Sequence, residues 1–339
     1  MPFANLRRSV LLVALLSIAG STLPASAADT VRLAAITRTV FYVPLWVAMH
    51  RGFLKDEGLD VQVTFFDNAG RTDDMLRTGE MQFVLRSPEA AMMDAYRGGT
   101  LRVIAGGVSK LPHFIIAQPW IKTLDQLRGA NFGVLSAKEG TTYIVQDIAK
   151  AAGLTPADYK ITVVGGSPTR WKLLKEGKID VGLQPIPNSY EAEAAGFTNL
   201  GSAINFVPDW QFTSVNVDEK WAEPNRGIVV RFLRGLQRGR DFMRINPEES
   251  AKIAAEELDT KFDLAVRMLG DVEKYGMLDT QTALNVPGLQ RIFETLLKRG
   301  DIGTDRKFDP KIFTDVSYWE EAHPEPALTG TIPAPRPAQ

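Results

Sequence analysis

An arginine stands at residue 86, where the apolar stretch "FVL" should simply end. Phe83, Val84 and Leu85 are strand formers, Ser87 can cap a helix, and Pro88 suits a helix's first turn. A guanidinium held there could grip a carboxylate or sulfonate through two parallel hydrogen bonds, which its planar fork matches. The alternative is a charge turned to solvent or paired with a neighbouring carboxylate such as Glu89. Three other stretches offer related chemistry. "TRTVFYVP" (37–44) brings Thr39, Phe41 and Tyr42 into one turn, with Arg38 beside them. "KEGTTY" (138–143) sets Gly140, which lets the backbone approach a guest, next to Thr141, Thr142 and Tyr143. "LQPIPNSY" (183–190) places Gln184 and Pro185 in a turn stiffened by two prolines. Ser109 and Trp210 are further candidate contacts. Aromatic walls with a few aimed polar groups describe a small-molecule site.

Composition removes several other kinds of chemistry. The 339-residue chain has no cysteine, which excludes a disulfide framework, a thiolate metal site and a cysteine nucleophile. His50, His113 and His323 are scattered, and no HExxH pair exists, so no metal site and no cofactor are expected. Arg7 and Arg8, the apolar run Val10–Ala19 and the small triplet Ala25-Ser26-Ala27 have the form of a secretory signal peptide spanning 1–27. The apolar run is too short for a spanning helix. Without that segment 37 basic residues face 40 acidic ones, the 39 of the whole chain less Arg7 and Arg8. A net charge of −3 carries no footprint for nucleic acid or a membrane surface.

The elements that must position the candidates alternate. "VRLAAI", "LDVQVTFF", "MQFVL" and "LRVIAGGV" read as strands, separated by helices opening at Pro44, through "RTDDMLRTG" and after Pro88. The pattern repeats with the strands "ANFGVLS", "YKITVVG" and "IDVGL" and helices over 141–152 and "PTRWKLLKEG". "MLRTGEMQFVLRSPEA" aligns with "LLKEGKIDVGLQPIPN" at a constant offset of 98 positions, which sets Gln184 opposite Arg86. Strands alternating with helices predict an α/β fold of two lobes, each a mostly parallel sheet flanked by helices. In such sheets ligands sit beyond the carboxyl ends of strands, where helix N-termini favour negative or polar oxygens. Arg170 and Trp171 read as residues of a helix that packs the second lobe. After residue 213 the chain turns helical, and a Pro-rich tail from 324 to 339 is expected to be disordered.

"VFYVPLWVAMHRGFLKDEGLDVQV" (40–63) resembles the exported substrate-binding proteins of ABC importers, in the group serving nitrate, taurine and other sulfonates, and thiamine-pyrimidine precursors. The aromatic turn, Gly52-Phe53-Leu54 and Glu57-Gly58-Leu59-Asp60-Val61 carry the likeness, followed in order by "LRTGEMQFVL", "LDQLRGANFGV", "GTTY" and "LLKEGKIDVGLQP". The resemblance implies a periplasmic-binding-protein fold of type II, with the ligand cleft between the lobes. It places lobe one at 28–116 plus 213–323 and lobe two at 117–212, crossing near "HFIIAQ" and "FTSVNV", with His113 structural. It also implies a monomer that captures a small organic anion in the periplasm and hands it to a permease and ATPase. The ligand-facing positions carried over are Thr39, Phe41, Tyr42, Arg86, Ser87, Thr141, Thr142, Tyr143, Gln184 and Pro185. At residue 86 the family usually has a small or uncharged residue, and the arginine argues against nitrate, taurine or a neutral pyrimidine. The alternatives are a sensor for a membrane receptor and a lyase-type enzyme on the same fold. The related pyrimidine-making group carries a cysteine-rich motif that this chain lacks.

Overall fold

The computed structural model describes residues 28–36, 38–66, 70–137, 140–279 and 281–323. The expected signal peptide, the Pro-rich tail and Glu139 lie outside the described residues. The chain begins with β1 (Asp29–Ile36), a 3-10 turn (Val40–Tyr42), α1 (Val43–His50) and α2 (Phe53–Asp56). Then come β2 (Leu59–Phe66), α3 (Gly70–Arg77), β3 (Phe83–Arg86), α4 (Glu89–Tyr96) and β4 (Leu101–Gly106). A second set follows: β5 (His113–Ala117), β6 (Asn131–Val134), α5 (Gly140–Ala151), β7 (Lys160–Val163), α6 (Ser167–Lys175), β8 (Val181–Pro185), α7 (Asn188–Ala194) and β9 (Thr198–Ser202). The chain returns through β10 (Ser214–Asp218) and α8 (Glu219–Ala222). It finishes with α9 (Arg226–Ile245), α10 (Pro247–Glu257), α11 (Phe262–Lys274), α12 (Val286–Lys298) and α13 (Ser317–Ala322).

These strands form two five-stranded sheets of one design. The first has the order β2-β1-β3-β10-β4 and the second β7-β6-β8-β5-β9. In each, three parallel strands are followed by an antiparallel one that has crossed from the other lobe: β10 in the first sheet and β5 in the second. This is the two-lobe binding-protein fold of type II. All five residues of β5 pair within the second sheet, so the expected boundary between 116 and 117 falls inside that strand. The chain crosses between Gly106 and His113.

The 98-residue offset has a structural counterpart. Gly79 (φ +71°) and Gly177 (φ +65°) both turn left-handed just after a helix, and their N–H groups bond to Leu76 O and Leu174 O. Such a stop strongly favours glycine, because a Cβ there is sterically penalised. The same device therefore delivers β3 and β8 as the central strands of their sheets. Both strands are buried along their whole length, in keeping with the apolar stretches 83–85 and 181–183 that form them.

The helices after β10 cover the first sheet. Apolar positions of α9 pack onto α1, α2 and α13, and Phe232 stacks on Phe83 with ring centroids 4.2 Å apart. Leu233 and Leu236 are buried on that face, and Phe242 packs at its margin against Phe53. Among the described residues no helix is long and apolar enough to cross a membrane.

Candidate functional site

A cavity of about 50 Å³ lies between the carboxyl edges of the two sheets. That volume holds about three or four water molecules. Ile36, Thr39, Phe41, Tyr42, Arg86 and Ser87 line it from lobe one. His113, Leu135, Thr141, Gly166, Ser167 and Arg170 line it from lobe two, and Phe212 and Thr213 close it beside the crossing. A wider groove between α9, α10 and α11 has a more apolar lining, including Met243, Ile245, Phe262 and Val266, and holds none of the predicted residues.

The aromatic turn is fixed from within. Tyr42 is buried, and its hydroxyl donates to Ile36 O (2.9 Å) and accepts from Ile36 N–H (3.1 Å). Burial pushes its phenol well above the usual value, so the group stays neutral. Phe41 is thereby aimed at the hinge, where its ring meets Phe212 edge-on at 5.0 Å and His113 at 5.9 Å.

Arg86 closes β3 as expected, and it turns neither to solvent nor to Glu89. Its Nη1 donates to Asp73 Oδ1 at 2.7 Å, and the two side chains are only 9% and 17% exposed. Burial pushes the Asp73 carboxyl up, against the opposing pull of Arg86 and Arg77. Glu89 is buried at the start of α4 and lies against Gly140: a methyl built on that glycine would come within 3.0 Å of Glu89 Oε1. The glycine thus permits close approach of α4 and α5 across the cleft.

The opposite wall carries a second guanidinium. Arg170 is 2% exposed and donates through Nη2 to Leu183 O (2.8 Å) and Ser167 Oγ (2.9 Å). It belongs to the cleft and not merely to the packing of α6. The legible signal was "VVGGSP", a glycine-rich strand-to-helix turn of the kind found at the other junctions. His113 is 1% exposed and also faces the cleft. Burial, and secondarily the Arg170 charge, hold its imidazole well below the ordinary 6.5.

Other predicted residues sit elsewhere. Gln184 is fully buried, and its amide nitrogen donates to Ser167 O (3.2 Å) while its oxygen accepts from Trp171 N–H (3.2 Å). It secures the first turn of α6 and so supports Arg170 without lining the cavity. Pro185 is paired with His113 across β5 and β8. Thr142 donates to Ser136 O (2.5 Å) and holds the loop before α5. Tyr143 turns away from the cavity towards Asp301, with Arg299 stacked on its ring at 4.7 Å. Trp210 is buried beside Tyr143, and Ser109 N–H donates to Met277 O near the crossing. Arg38 is half exposed, paired with Glu257 at 2.5 Å and stacked on Phe65. The cleft therefore unites Thr39, Phe41, Tyr42, Arg86, Ser87 and Thr141, and leaves the rest outside it.

The buried imidazole carries a stability consequence. Below about pH 6.5 the unfolded chain takes up a proton at His113 that the folded chain refuses, so folding stability falls as pH falls. His323, also held low chiefly by burial, adds to the same slope. Melting temperatures from pH 7.5 to 5 should fall less steeply in a His113→Phe variant than in the unaltered chain. Equal slopes would show that the imidazole ionises freely in the fold.

The NMT1/THI5 like family model matches residues 41–250. YtlA of Bacillus subtilis (strain 168), which carries the name of a binding protein, is 31% identical over 255 residues, covering 69% of this chain and 71% of that protein. The 4-amino-5-hydroxymethyl-2-methylpyrimidine phosphate synthase of Candida albicans (strain WO-1) is 22% identical over 229 residues. That match covers 62% of this chain and 66% of the synthase, slightly under two thirds of its length. Among solved structures, the periplasmic nitrate-binding protein NrtA from Synechocystis PCC 6803 is similar with a TM-score of 0.74 at 14% identity. The likeness covers 87% of this chain and 88% of that one, and at this identity it speaks to the fold alone.

Proposed function

We propose that this chain, which belongs to the NMT1/THI5-like family, is an exported solute-binding protein that captures a small organic anion and delivers it to an ABC importer. The observation that carries the reading is the placement of Arg86 and Arg170 on opposite walls of one cavity. Each guanidinium sits on its own lobe, so an anion between them draws the lobes together, and closure is coupled to occupancy. Part of the Arg86 charge is offset by Asp73, which leaves the cleft suited to a single carboxylate or sulfonate. Phe41 and Phe212 supply an apolar wall for the body of the guest, and Ser87 and Thr141 add hydroxyls. The ligand is handed on to a membrane permease, and the chain acts in the periplasm after cleavage behind Ala27.

Titration calorimetry against a panel of carboxylates, sulfonates, pyrimidines and nitrate tests this directly. Micromolar or tighter binding confined to organic anions is the expected result. Binding of a cation or a neutral pyrimidine with no anion bound would overturn it.

The synthase among the relatives favours a second reading, an enzyme on the same fold. Among the described residues, two acids lie near the cleft: Asp73 is engaged by Arg86, and Glu89 is packed against α5. Neither stands as a general base aimed at an arginine-bound guest. Incubating the protein with each bound acid and following products by mass spectrometry separates the readings, since turnover would replace the carrier with an enzyme.

A further inference from the structure

Thr39 and His113 reach the cavity from opposite lobes, the first at the head of the 3-10 turn and the second at the start of β5. Both are buried, at 6% and 1% exposed. Among the described residues, neither Thr39 Oγ1 nor His113 Nδ1 has a hydrogen-bond partner. The flanks of the imidazole do not supply one: its ring meets Phe212 edge-on at 4.8 Å and Phe41 at 5.9 Å. With its protonation suppressed, the imidazole carries one donor and one acceptor nitrogen at neutral pH.

When the lobes part, water satisfies such atoms. When they close, an orphaned polar atom weakens binding by about tenfold unless the guest replaces the water. An anion with no other polar group meets the two guanidiniums and leaves both orphans unmet.

We infer that Thr39 and His113 form a neutral polar subsite that selects aromatic acids carrying a second, uncharged hydrogen-bonding group, a hydroxyl or a ring nitrogen, on the ring held against the wall that Phe41 and Phe212 form. The inference rests on the anion reading above. The second group replaces the water lost on closure, and the anionic head remains with Arg86 and Arg170. Specificity then comes from the neutral pair and attraction from the charged one.

The test is calorimetry with benzoate, the three hydroxybenzoates and nicotinate on the full mature chain. At least one polar-substituted acid should bind tenfold or more tightly than benzoate. Thr39→Val, which keeps the volume, and His113→Phe should each shrink that ratio severalfold, with melting curves confirming that both variants fold. The valine variant alone suffices if the phenylalanine one does not fold. Equal affinity for benzoate and every substituted acid, or a ratio unchanged in the variants, overturns the neutral subsite while leaving the anion reading standing. Failure of every acid and sulfonate to bind removes both.

Discussion

Arg86→Ala is expected to lower affinity for the anionic ligand by about ten- to a hundredfold and to destabilise the fold at the same time. A hydrogen bond to a charged group contributes about 1.5–3 kcal/mol. Removing one partner of a buried ion pair costs about 3–5 kcal/mol more, because the other charge is stranded. Here the stranded group is Asp73, whose side chain is 17% exposed and whose carboxyl burial already pushes up. It would also repel the guest. The two effects separate in the double variant Asp73→Asn with Arg86→Ala, where the stranded charge is gone. Thermal melting should then recover most of the loss, and calorimetry should still show weak binding. Recovery of both would mean that Arg86 serves Asp73 alone.

Gly239→Ala should cost about 3 kcal/mol, the upper end of the usual range for overpacking, and lower the melting temperature by several degrees. On α9 this residue faces α1 so closely that an added methyl would lie 2.3 Å from Pro44 O and 2.9 Å from Ala48 N. These are backbone atoms, which cannot swing aside as a side chain could. The helices must separate, and α1 is continuous with the turn that carries Phe41 and Tyr42. Ligand affinity should therefore drop along with stability. Gly227→Ala is the control, since that glycine lies on the same helix with nothing within 4 Å of the added methyl. It should be neutral or slightly stabilising, given that glycine costs a helix up to about 1 kcal/mol relative to alanine. Equal losses in the two variants would count against close packing as the cause.

Much of the architecture could be read before the structure, because its signals are local. Periodicity separated strands from helices, and Gly79 and Gly177 marked the same stop twice at one offset. The carboxyl-edge rule found the turn at 39–42, Arg86, Ser87 and Thr141. It failed where a strand runs the other way. An antiparallel strand brings its first residue, not its last, to that edge: Ser214 pairs with Arg86 and His113 with Pro185. Strand direction leaves no mark on a buried apolar run, so His113 read as structural, and Phe212 and Thr213 went unnoticed. Gln184 failed for another reason. Its position at the strand end was right, but the backbone of the adjoining first turn of α6, at Ser167 O and Trp171 N–H, takes its amide.

The place of β10 in the first sheet has a consequence for the order in which the molecule is made. That sheet has a gap between β3 and β4 that only Ser214–Asp218 can fill. Everything from His113 to Ser202 precedes the filler in the chain, and the second sheet is built wholly from that stretch. Lobe two can thus assemble from a single uninterrupted segment, while lobe one must wait for the chain to come back and then for α9 to cover it. Closure of the longer loop is the slower event. The half of the cleft that holds Arg170 should form first, and the half that holds Arg86 last.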